Sequence, residues 1–98
     1  MRQIAVSAAL ALALVAAAGP AAAGCFADYK AKREPPLQLH YGVIELPAAV
    51  CGDRAAAAAE IARRIGRDGW SLLDLVAIFG PEGLAGRERD AGQFFLRY

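Results

Sequence analysis

The stretch from Met1 to Gly24 reads as an export signal, and it limits what everything after it can become. Met1-Arg2-Gln3 is a short basic start, Ile4 to Ala18 is a charge-free run rich in Ala, Leu and Val, and Gly19-Pro20-Ala21-Ala22-Ala23 supplies a helix break and the small residues a signal peptidase accepts. Removing residues 1–24 from the 98 leaves about 74, enough for one domain and too few for two. A chain that short buries only about 60% of its unfolded surface, so its core is thin and a covalent staple counts for much. The expected location is periplasmic or secreted. An uncleaved anchor needs roughly 20 apolar residues in a row, and the run here is shorter and broken at Gly19-Pro20, so no transmembrane span is expected in the mature protein. A second reading places a lipid on Cys25, because Ala22-Ala23-Gly24 puts small residues before a cysteine, although Ala22 stands where such sites usually carry Leu.

The two cysteines, Cys25 and Cys51, both fall after the signal, and an exported chain meets an oxidising compartment. They are expected to form a disulfide. The competing reading, a metal pair, lacks partners: His40 is the one histidine and no CxxC spacing occurs. No metal and no cofactor is expected.

Charge excludes one class of partner. Arg2 is the one charge before Gly24, so the 11 Lys plus Arg and 10 Asp plus Glu of the whole chain become ten against ten from Gly24 onward. Nothing there draws the domain to nucleic acid or to an anionic membrane. Lys30, Lys32 and Arg33 form a local basic bias that Asp28 and Glu34 temper.

Residues 25–38 are polar, end near Pro35-Pro36 and are read as an extended arm, leaving 39–98 as the folded domain. Leu39 to Leu46 gathers Tyr, Val and Ile and stops at Pro47, as a first strand does. Asp53 can cap a helix in which Ala55, Ala58, Ile61, Ala62 and Ile65 share a face, with Gly66 as its left-handed stop. Its Ala-rich face lets a helix lie close to a sheet. Trp70 to Phe79 is nearly continuous apolar sequence broken by Asp74, which fits a central strand covered on both faces, with a buried helix as the alternative that periodicity leaves open. Gln93 to Tyr98 has the aromatic character of a last strand, after a Gly-rich connection from Gly80 to Gly92. The expectation is an α+β fold, a small βαββ domain with one helix packed on a three-stranded sheet.

Tyr41-x-Val43-x-Glu45-Leu46, then a helix leading into Ile65-Gly66-x-x-Gly69-Trp70-x-Leu72-Leu73, then Phe95-Leu96-Arg97-Tyr98, resembles the small bacterial βαββ domains of domain-of-unknown-function family 4177. The likeness covers residues 40–98, and Gly-x-x-Gly-Trp is its most specific element. That family has no established activity, so the resemblance implies a fold and carries over no catalytic residue. The Cys25 arm and the long Gly80–Gly92 loop depart from its shorter members. The arm-bearing form is similar to uncharacterised exported proteins of proteobacteria.

The inventory for catalysis is nearly empty. After the signal the chain has one Ser (Ser71), one His (His40), no Thr and no Asn. Ser71 lacks a G-x-S-x-G elbow and His40 lacks a cue for an orienting acid, so a hydrolase-like pair is the weaker alternative. Asp74, within apolar sequence, is either buried with a raised pKa or an edge residue facing water. Trp70 is read as a core anchor. One helix covers one face of such a sheet, so Leu72, Val76, Ile78 and Phe94 are the candidate interaction surface. The functional expectation is a non-catalytic envelope module that binds a partner or pairs with itself as a homodimer.

Overall fold

The computed structural model describes residues 24–98, so the expected signal segment and its cleavage lie outside the described residues. Strands β1 (Cys25–Arg33), β2 (Gln38–Leu46) and β3 (Ser71–Phe79) form one antiparallel sheet in the order β2-β1-β3. Between β2 and β3 come a short helix α1 (Ala48–Cys51) and the main helix α2 (Arg54–Gly66). After β3 follow a 3₁₀ turn at Pro81–Gly83, helix α3 (Arg87–Ala91) and a second 3₁₀ turn at Gly92–Phe94. The α+β class and the three-stranded sheet with a helix on it are as expected. The strands are distributed differently, in the order ββαβ.

The segment expected as an arm is the central strand. Cys25, Ala27, Tyr29 and Ala31 alternate inward against Leu46, Ile44, Gly42 and His40 of β2, while Phe26, Asp28, Lys30 and Lys32 face the other side. Its inward side chains are small apart from Tyr29, which lets α2 settle close. Gly42 is required there, since a Cβ would lie 2.6 Å from the Tyr29 ring. The turn between β1 and β2 carries cis peptide bonds at Glu34–Pro35 and Pro35–Pro36.

Helix α2 starts as expected, with the Asp53 carboxylate accepting from the Ala56 N–H at 3.1 Å. It buries Ala57, Ile61 and Ile65, a stripe rotated from the expected one, so Ala55 and Ala62 are exposed. Gly66 is helical, and the positive-φ residue after the helix is Gly69 at 83°. Trp70 N–H returns to the Ile65 carbonyl, and its side chain is buried as predicted.

The expected central strand, β3, is an edge. Two bulges explain why its sequence shows no alternation: Asp28 and Tyr29 pair with Ala77 and Leu75, and Lys30 and Ala31 pair with Asp74 and Leu72, so Val76 and Leu73 are extra residues. Leu75 is buried, and the two bulge residues are exposed. Residues 93–98 are not a strand either. Phe95 makes an isolated parallel bridge to Val43, and Leu96 N–H donates to the Val43 carbonyl at 2.8 Å, from a backbone with φ at 56°.

This tail covers what α2 does not reach. Helix α3 lies over the sheet face opposite α2, where Ala91 and Val43 are buried and Arg87 binds Asp28. The end of that face nearest the β1–β2 turn stays open.

Cys25 and Cys51 are bonded, with Cα atoms 5.9 Å apart, tying the start of β1 to α1. Among the described residues no helix is long and apolar enough to cross a membrane.

Candidate functional site

Three places gather unusual side chains, and they sort by what they can do. The first is an aromatic cluster at one end of the core. His40 stacks on Phe94 with centroids 3.7 Å apart and meets the Trp70 ring edge-on at 4.2 Å, while its Nε2 lies 2.9 Å from the Tyr29 hydroxyl. Burial, with a smaller push from Arg33, holds its imidazole down at about 4. Burial likewise raises the Tyr29 hydroxyl, so both groups stay neutral near pH 7. Arg33 closes the cluster, its guanidinium 4.3 Å over the Trp70 ring and donating to Gln38 Oε1 and the Asp68 carbonyl. A shallow hollow of about 150 Å³ beside it is lined by Arg33, Trp70, Arg97 and Tyr98. This is a closed, stacked core feature. Ser71 is exposed on β3, and the hydrogen bond of His40 goes to Tyr29, so the hydrolase-like pair is not assembled.

The second place is Asp28, 4% exposed on the face under α3. Its Oδ2 accepts from the Tyr41 hydroxyl at 2.9 Å and from Arg87 Nε at 3.2 Å, and the Tyr41 hydroxyl is pushed up to about 12 by burial and by Asp28. Arg87 also donates to the Gly83 carbonyl and lies 4.1 Å over the Phe79 ring. The arrangement fastens the tail to the sheet.

The third place is open and apolar, and Leu73 is at its centre. A hollow of about 300 Å³ on the uncovered end of the sheet is lined by Lys30, Leu39, His40, Tyr41 and Leu73. A groove of about 520 Å³ runs along the outer side of β3, between Arg54, Ala55 and Ala58 of α2 and residues 72–75. Leu73 lines both. It is 53% exposed, with Leu39 at 66% and Leu37 at 62%. These are large side chains to leave in water on a domain this small, and Leu39 and Leu73, which share the first hollow, form a surface suited to another apolar surface.

The sequence-predicted interaction residues do not come together there. Leu72, Ile78 and Phe94 are half-buried against the core, and Val76 alone of the four is exposed. Sequence reading missed Leu37, Leu39 and Leu73; for Leu73 the reason is a bulge, which decides which residue of an apolar run points outward. Asp74 is an exposed edge residue opposite Lys30. Among the described residues no group of His, Cys, Asp and Glu could hold a metal ion. No family model matches the chain, and no curated protein or solved structure matches it.

Proposed function

We propose that this protein is an exported, non-catalytic module that works by protein–protein association through the apolar surface centred on Leu73. The observation that carries the reading is the pair of hollows sharing that exposed leucine, with exposed Leu39 beside it in the first. Burying such side chains in an interface gains roughly 1.5 to 3 kcal/mol each, enough for a few to anchor a modest complex. The disulfide supports a site of action in an oxidising compartment, periplasmic or extracellular. A lipid on Cys25 is disfavoured by the same bond, which leaves its sulfur no free thiol to alkylate.

The test is crosslinking in extracts of the exporting cell, paired with sedimentation of the purified protein, for the wild type and for Leu73→Glu. Leu73 is exposed, so the variant should keep its melting temperature and lose its crosslinked product or its faster-sedimenting species. Retention of both in the variant would reject the surface.

A further inference from the structure

Of the two outer strands, β2 has its free side covered around Val43 to Glu45. Leu96 N–H donates to the Val43 carbonyl and Arg64 to the Glu45 carbonyl, both at 2.8 Å. On the outer side of β3 the described residues supply one side-chain donor, Arg54 Nη2, to the Leu75 carbonyl. β3 is nine residues long, has Asp74 as its one charge and contains neither Lys nor Pro. Such an edge is a template for another strand. The groove beside it has Ala55 and Ala58 as its far wall, side chains too small to fill it. An extended main chain supplies the alternating donors and acceptors that this edge lacks.

We infer that the occupant is a second copy of this chain, its β3 running antiparallel to β3 about a two-fold axis at Leu75, with Arg54 as the residue that opens the edge. This rests on the association reading above and names its partner and its element. Charge selects a copy: the groove carries one cation, Arg54, and the strand one anion, Asp74. In a register centred on Leu75, Asp74 falls opposite the partner's Val76, one residue along from the carbonyl that Arg54 holds, and the two-fold repeats the match. Copies do not repel, since Gly24 to Tyr98 holds ten cations and ten anions once Arg2 is taken from the 11 and 10 of the whole chain. Exposed Leu73 and Val76 flank the axis and become covered. On pairing, Arg54 releases the Leu75 carbonyl to the N–H of the partner's Leu75 and turns to the partner's Asp74. The bulges at Leu73 and Val76 shorten the ladder, which makes the dimer weak and concentration-dependent.

Sedimentation equilibrium of the purified, oxidised protein over a concentration series tests this with four variants: Asp74→Arg, Arg54→Glu, the two together, and Leu39→Glu. Arg54 and Asp74 are both exposed, and Glu at the first position of a helix is favourable, so each variant should melt like the wild type. The wild type should show a monomer–dimer equilibrium, each single reversal should raise its dissociation constant at least tenfold, and the double reversal should bring it back to within about threefold. Leu39→Glu should leave it unchanged. A dimer indifferent to both reversals and abolished by Leu39→Glu overturns the edge pairing and leaves the association reading standing. A monomer at every concentration overturns the pairing, and with no crosslinked partner in cell extracts the association reading falls too.

Discussion

At the scale of single residues, His40 is where the fold commits most to one protonation state. Its ring lies between Phe94 and the Trp70 edge and is 8% exposed, so the charged form would lose its water and gain a cationic neighbour in Arg33. The imidazole therefore titrates at about 4 in the folded protein against 6.5 ordinarily. Between those values the unfolded chain binds a proton that the folded chain refuses. Stability is thus full above about pH 6.5 and falls as pH drops towards 4, by about 3 kcal/mol in all. Urea midpoints at pH 7, 5.5 and 4.5 should decline in that order for the wild type. His40→Phe keeps a ring to stack and removes the titration, so its midpoints should be nearly flat over the range even though the lost Tyr29 partner lowers them all. A wild-type slope unchanged in that variant would sink the assignment. Glu60, held at about 2 by Arg63 and Arg64, begins to add its own loss near pH 4.5, a small slope that the wild type and His40→Phe share and that cancels in their comparison.

At the scale of elements, Arg87 holds the C-terminal segment to the sheet through Asp28 and Phe79 and braces it internally through the Gly83 carbonyl. Arg87→Ala leaves the buried Asp28 with Tyr41 as its remaining partner and Oδ1 still without one. Stability should fall, by less than for a fully buried pair because the Arg87 side chain keeps 34% of its surface in water. In an Asp28→Asn background the same substitution should cost clearly less, which a double-mutant cycle of denaturant melts measures. Equal losses in both backgrounds would show that the ion pair is not the fastening. What the sequence disclosed of these elements follows from how locally each is determined. Helix α2 and its Asp53 cap were legible, because capping and periodicity are set within a few residues. β1 was not, although Cys25, Ala27, Tyr29 and Ala31 alternate against Phe26, Asp28, Lys30 and Lys32. Ala is a weak hydrophobic signal and Lys a misleading one on a strand whose second face is half open. Residues 93–98 carry strand-like composition, but Phe94 and Tyr98 serve side-chain contacts, with His40 and Asp68, and the backbone makes one bridge. The exposure of Leu73 was hidden for a third reason, since bulges are set by pairing with β1 and leave no mark in β3 itself.

At the scale of the whole molecule, the disulfide compensates for the small core. The fully buried side chains larger than Ala are Tyr29, Val43, Ile44, Leu46, Ile61 and Ile65, a thin set to hold three strands and a helix. The bond joins residues 26 apart and so encloses β1, the turn, β2 and α1, leaving α2, β3 and the tail outside the closed loop. Closing a loop of that length removes denatured-state entropy worth about 3.5 kcal/mol in the chain-entropy model, a large fraction of the stability a domain of this size commands. The Cys25→Ala/Cys51→Ala variant should lose that amount, and its denaturant slope should rise because the freed hairpin lets the unfolded chain expand. Reduction of the wild type should give the same midpoint as the variant. A loss below about 1 kcal/mol with an unchanged slope would mean that β1 and β2 stay paired in the denatured chain without the bond. The central hairpin, and not the crosslink, would then be what organises this molecule.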